Sequence, residues 1–425
     1  MNRSFILKGH ICHTPEAGRL EIRENAFAVC ENGICRGVFD AVPEEYRGME
    51  IFDCTGKLVI PGMVDLHTHA PQYAFRGTAM DCELLDWLQR YAFPEESRYA
   101  DLKYAAKAYE IVARSLRQGA TTRVVLFGTI HTDATLILMD LMEESGVISY
   151  VGKVNMDRNA PPELTEETAE SEAETRRFIR ESLAREYRRT KPVLTPRFVP
   201  SCTDGLMTAL GRIRQEYDLP VQSHLSENPE EIEAVARLAP EAAFYGDAYD
   251  RAGLFGRGGN TVMAHCVYST PEEIERIREN GVWIAHCPAS NMNIASGIAP
   301  IRRYLEQGLR VGLGTDVAGG HSESMFQAVV DAIQVSKMYW RYIDRKAKPL
   351  TFPEALYLAT KGGGSFFGRA GSFEDGYEFD AVVLDDHRIA GPRPLPAAER
   401  LERAFYNQLD RQGITMKFAG GERIL

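Results

Sequence analysis

The chain has 425 residues, 44% hydrophobic and 26% charged, which excludes a disordered chain and supplies one large core plus a smaller appended unit. A formal net charge of −11, with arginines interleaved among glutamates, excludes a nucleic-acid surface built on clustered cations and leaves a small molecule as the simpler partner. The eight cysteines (Cys12, Cys30, Cys35, Cys54, Cys82, Cys202, Cys266 and Cys287) form no C-x-x-C pair, so neither a zinc ribbon nor a dense disulfide framework is predicted.

Met1-Asn2-Arg3-Ser4 leads into a short strand-like run, not an apolar targeting segment, and no stretch of about 18 apolar residues follows, so a cytoplasmic protein without a membrane span is expected. Residues 1–62 read as short strands (5–7, 26–30 and 34–39) with a hairpin turn at Glu31-Asn32-Gly33. From Val64 onward, apolar runs alternate with longer amphipathic stretches, the pattern of repeated βα units around a parallel sheet. Segment 82–94 places Leu84, Leu85, Trp87 and Leu88 at helical spacing, which predicts packing, with a cover over a pocket as the alternative.

The predicted strands end near His67, Phe127, Val154, Phe198, His224, His265, His286 and Asp316, and helices are predicted over 101–118, 169–188, 229–239 and 271–279. Eight such units predict an α/β fold, a (βα)8 TIM-type barrel over residues 63–372. Residues 373–385 return to strand and turn character, so 373–425 are expected to join 1–62 in one small β-sandwich.

His67 and His69 stand at i and i+2 on the first of these strands and point to the same face. A lone strand histidine is commonly a hydrogen-bonded structural residue, but His224, His265 and Asp316 close three later strands. In a βα barrel those strand ends form one rim, where active sites lie. Three imidazoles and a carboxylate suit a borderline-soft cation with a position left for water. Glu227, three residues after His224, is the candidate general acid/base; its alternative role is to cap the helix starting near Pro229.

The motifs P-G-M-V-D-L-H-T-H (61–69), S-H-L-S-E-N (223–228), A-H-C (264–266), H-C-P-A-S-N (286–291) and G-L-G-T-D (312–316) resemble the amidohydrolase superfamily over most of the chain. The segments His69-Ala70-Pro71-Gln72-Tyr73, Thr195-Pro196-Arg197-Phe198 and 314–320 are similar to its members that deaminate guanine. That resemblance implies hydrolysis of a purine base, with 8-oxoguanine, a pterin or a triazine as alternatives and a noncatalytic scaffold as the competing class. It implies one zinc ion per subunit, or iron(II), on His67, His69, His224 and Asp316, and a homodimer. Asp316 would also help deprotonate water, Glu227 would shuttle the proton, and His265 would polarise the nucleophile or the substrate. Gln72 and Arg197 would hydrogen-bond the purine edge and Phe198 would pack on the ring. A guanidinium offers coplanar donors to the O6 and N7 acceptors of guanine; the alternative for Arg197 is a surface ion pair. Binuclear members carry a bridging lysine where this chain has Arg197-Phe198, so one metal is implied, and Lys153 reads as structural. His131, His286 and His321 are rim residues left outside the site.

Overall fold

The computed structural model describes residues 3–425. Met63–His69 is buried along its whole length, as a strand covered on both faces must be. It pairs in parallel with Thr121–Phe127, followed by Ile148–Gly152 and Thr190–Pro192. Val221–Leu225, Thr261–His265, Trp283–His286 and Arg310–Leu313 form a second parallel set. A bridge from Leu194 to Val221 links the two sets on one side. On the other, Asp316 N–H donates to the His67 carbonyl at 2.8 Å and His69 N–H to the Val317 carbonyl at 3.0 Å, so the first and last strands meet. The eight-stranded barrel is therefore as the periodicity predicts.

The differences from the predicted strands lie at their ends. The third and fourth strands each break and resume as a short pair, Val154–Asn155 with Thr195–Pro196, that carries the chain up to Arg197. The eighth ends at Leu313, and Asp316 takes a left-handed φ of 49°. Helix Leu102–Gln118 is capped by Asp101, whose side chain accepts from Lys103 N and Tyr104 N. Thr168–Ala184 is shorter than predicted; the chain turns left-handed soon afterwards at Glu186 (φ 51°).

The terminal segments share one seven-stranded sheet, in the order Glu422–Arg423, Ile414–Ala419, Ala381–Leu384, Glu50–Pro61, Phe5–Glu16, Arg19–Glu31, Ile34–Phe39. The sheet curls back on itself: Phe379 N–H donates to Gly33 O and Gly421 N–H to Phe379 O, both at 2.8 Å. The space so enclosed is filled by Phe5, Leu7, Val59, Phe373, Phe379 and Phe418. Its central strand Glu50–Pro61 runs straight into the first barrel strand through Gly62, where a Cβ would lie 2.1 Å from Thr122 Oγ1. The sheet thus fixes the strand that bears His67 and His69.

Arg123 fastens barrel to sheet. It is 2% exposed and donates from Nε to Asp380 Oδ2 at 2.5 Å and from Nη2 to Glu378 Oε2 at 2.9 Å. Arg123→Met leaves Asp380 buried without its partner, and a loss of about 3–5 kcal/mol is expected. Thermal unfolding checks this: the midpoint should drop, and adding Asp380→Leu should restore part of it. Among the described residues, no helix is long and apolar enough to cross a membrane.

Candidate active site

Four strand ends deliver the site. His67 and His69 share a face of Met63–His69, with ring centroids 5.0 Å apart. His224 comes from Val221–Leu225, and His265 closes Thr261–His265 with a left-handed φ of 75°, a conformation costly for a non-glycine residue. Ser226 and Asp316 take the same region at 47° and 49°. Chain bends directly after the strands thus tip Glu227 and Asp316 over the barrel mouth.

The side chains meet in a small volume. His69 Nε2 lies 3.2 Å from His224 Nε2, and Asp316 Oδ1 lies 3.1 Å from His67 Nε2 and 3.5 Å from His69 Nε2. His265 Nε2 is 3.7 Å from Asp316 Oδ2 and 3.3 Å from Glu227 Oε2. Ligand atoms of His67, His69 and His224 lie within 4.8 Å of one another, as do those of His67, His265 and Asp316. Burial drives His69 and His224 well below the ordinary imidazole range and lowers His67 against the pull of Asp316, so these rings are neutral bases. His67 Nε2, His69 Nδ1 and His265 Nε2 are buried without a hydrogen-bond partner. Neutral imidazole nitrogens and a carboxylate crowded together, several of them unsatisfied, fit a shared cation.

Outer partners fix the ring orientations. His224 Nδ1 donates to the Arg197 carbonyl at 2.6 Å, which leaves Nε2 as a lone pair facing the site. His265 Nδ1 pairs with Asn291 Oδ1 at 2.9 Å, turning its Nε2 toward the two carboxylates. Asp65 accepts from Thr315 Oγ1 at 2.5 Å, Thr315 N at 3.0 Å and His67 N at 3.2 Å, and so locks the loop before Asp316 to the first strand.

Glu227 is not the cap of helix Pro229–Leu238; Asn228 is, accepting from Glu230 N. Glu227 instead accepts from Ser296 Oγ at 2.9 Å and faces His265. Burial raises its carboxyl, opposed by His265. Burial works against the charge on His265, but Glu227 and Asp316 outweigh it and its pKa rises. For Asp316 burial is likewise outweighed, by His67 and His265, and its carboxyl is held low. The two carboxylates beside His265 thus lean opposite ways, Glu227 toward its protonated form and Asp316 toward its ionised form.

Gln72, Arg197 and Phe198 line a cavity with His69, His224, Glu227, His265 and Asp316. Arg197 forms an ion pair, but a buried one: Nη1 and Nη2 donate to Glu96 at 2.6 and 3.1 Å. Leu84, Trp87 and Leu88 roof the cavity, so segment 82–94 both packs and covers. The cavity is small, ≈ 30 Å³.

Sequence reasoning missed Glu96, Asn291, Asp65 and Phe127. The last packs its ring 4.5 Å from His69 and 5.0 Å from His67 and His224. Signals existed for Asn291, within the H-C-P-A-S-N motif, and for Asp65, within P-G-M-V-D-L-H-T-H. Lys153 pairs with Glu166 at 2.8 Å, away from the cluster, as a structural residue does. His131 precedes helix Thr132–Ser145, and His321 lines a separate cleft with Arg76 and Glu323. His286 is buried with neither ring nitrogen bonded, and burial, reinforced by His265, takes it down to about 3.

A barrel whose strand ends gather imidazoles and carboxylates around one cation-sized volume defines a metal-dependent hydrolase class, and residues 58–424 match the Amidohydrolase family, to which the chain belongs. It is 42% identical over 443 residues to guanine deaminase of Mus musculus, covering 99% of this chain and 97% of that one. Guanine deaminase from C. acetobutylicum, solved with guanine in its active site, superposes with a TM-score of 0.96 at 44% identity, covering 99% of this chain and 100% of the other. E. coli guanine deaminase gives 0.88 at 29% identity, with 99% of each chain covered.

Proposed function

We propose that the chain hydrolyses guanine to xanthine and ammonia, with one zinc ion on His67, His69, His224 and Asp316. The observation that carries the reading is the Glu227–His265–Asp316 arrangement, two carboxylates of opposite tendency about one imidazole, in a chain 42% identical to a guanine deaminase. Three nitrogen donors and one oxygen suit zinc, with iron(II) as the alternative occupant. When bound, such an ion acts as a Lewis acid that brings the pKa of water toward neutrality.

The chain's own residues do the rest. Ionised Asp316 accepts a proton from the attacking water as its oxygen bonds to C2, and His265 stabilises the charge that develops. Glu227, raised by burial, gives its proton to the ring nitrogen N3. The proton held on Asp316 passes to the departing amino group, the C2–N bond breaks, and ammonia leaves. As the C2 carbonyl forms, the proton still on the added hydroxyl passes to Glu227 and restores it, so the net change is one hydrogen on N3, one on ammonia and the water oxygen on C2. Gln72 and Arg197 hold the purine edge, Phe198 packs on its face, and the roof residues exclude bulk water.

A panel of aminated heterocycles tests this on metal-quantified protein, by ammonia release and product chromatography. Guanine should give xanthine and ammonia in equal amounts, faster than 8-oxoguanine, a pterin or a triazine. No turnover of guanine beside brisk turnover of another member would overturn the choice of substrate, and no turnover of any by zinc-loaded protein would favour a scaffold. The same reading places the chain in the cytoplasm, supported by eight free, buried cysteines. It also makes the chain a homodimer, supported by exposed Met338, Tyr342 and Ile343 at one helix end.

A further inference from the structure

We propose that Glu96 is the positioning residue that sets this pocket's base specificity: it orders Gln72 and Arg197 so that both present hydrogen-bond donors, selecting a purine edge with two neighbouring acceptors. The inference rests on the reading above in placing a purine edge against Gln72 and Arg197. Three buried side chains meet here: Glu96 and Gln72 are each 1% exposed and Arg197 3%. A carboxylate only accepts, and three N–H groups converge on this one. Gln72 Nε2 donates to Oε1 at 2.8 Å, Arg197 Nη2 to Oε1 at 3.1 Å, and Arg197 Nη1 to Oε2 at 2.6 Å.

The consequence for Gln72 is strict. An amide can sit in two orientations related by a flip, but Ala318 N–H donates to Gln72 Oε1 at 3.1 Å on the side away from Glu96. The flipped amide would set oxygen against carboxylate and NH2 against N–H, so only one orientation satisfies both neighbours. The carbonyl is turned to Ala318 N–H, and the amide nitrogen keeps its second N–H as a donor for a ligand. Arg197 spends two of its five N–H bonds on Glu96 and has only donors to offer. Both residues line the cavity and Glu96 does not, so Glu96 acts through them.

A donor–donor reader matches a 6-oxopurine, whose O6 and N7 both accept. It mismatches a 6-aminopurine, whose exocyclic NH2 donates beside N7. Glu96 sits in helix Phe93–Ser97, on the segment that also carries Leu84, Trp87 and Leu88 over the cavity. The element that roofs the pocket is thus the element that orders its donors.

Hypoxanthine and adenine differ at position 6 and both lack the 2-amino group, so their binding reads this edge without turnover. Calorimetric titration of metal-loaded wild type should show preference for hypoxanthine. In Glu96→Gln the ratio of the two dissociation constants should fall about tenfold or more, because an amide at position 96 replaces one of the two acceptor oxygens by an NH2 set against one or two of the three donors, and loosens the hold on the Gln72 orientation. Glu96→Asp, which keeps the charge, should regain part of the preference, and KM for guanine should rise more than kcat falls in Glu96→Gln. An unchanged ratio in folded Glu96→Gln overturns the proposal, as does a wild type with no preference. Should Glu96→Gln not fold, Glu96→Asp decides alone: a ratio reduced several-fold supports the proposal and an unchanged one overturns it. A hypoxanthine preference that falls in Glu96→Gln, in a protein without guanine turnover, would contradict the proposed reaction while supporting the role of Glu96.

Discussion

Glu227→Gln is expected to keep one metal ion per chain and to lose about 10²–10⁴-fold in kcat, the scale of a general acid–base contribution. The substitution preserves shape. A glutamine Oε1 still accepts from Ser296 Oγ, which sits 2.9 Å from the carboxylate, and position 227 lies outside the imidazole cluster. What disappears is the titratable oxygen 3.3 Å from His265 Nε2, and with it the route that carries a proton to the purine ring and back. Metal content by elemental analysis and a single-turnover rate measure the two halves separately. Turnover equal to wild type would remove Glu227 from the mechanism.

His224→Ala is expected to fail on both counts, with metal content well below one equivalent and turnover lower than in Glu227→Gln. His224 Nε2 faces His69 Nε2 at 3.2 Å, and its Nδ1–H holds the Arg197 carbonyl at 2.6 Å. Removing it deletes a donor and loosens the loop that presents Arg197 to the pocket. A variant that retained full metal and normal activity would show that the ion, if bound, sits elsewhere. The contrast between the two variants separates holding the cation from moving the proton.

The resemblance of five motifs and the strand periodicity made the barrel and the imidazole cluster legible in advance, for a physical reason. Side chains at i and i+2 of a strand share a face, and all parallel strands of a barrel end on one rim, so eight strands bring His67, His69, His224, His265 and Asp316 to the same end of the barrel. What lay beyond local patterning was which partner each polar side chain would find. Glu96 sits in Phe93-Pro94-Glu95-Glu96-Ser97, which reads as an ordinary acidic turn of helix, yet the fold buries it against Arg197 from 101 residues away. Glu227 was compatible with a helix cap until the neighbouring Asn228 took that position, leaving its carboxylate to His265. The fourth strand breaks at Pro192, which has no N–H to give the ladder, and resumes at Thr195 beside Val154.

The most direct test of the whole account is a metal titration. Protein stripped by a chelator and then titrated with zinc should regain guanine turnover linearly and saturate at one equivalent per chain, with xanthine and ammonia as the products. Full activity in the stripped protein, or saturation only at two equivalents, would contradict a single cation held by three imidazoles and Asp316.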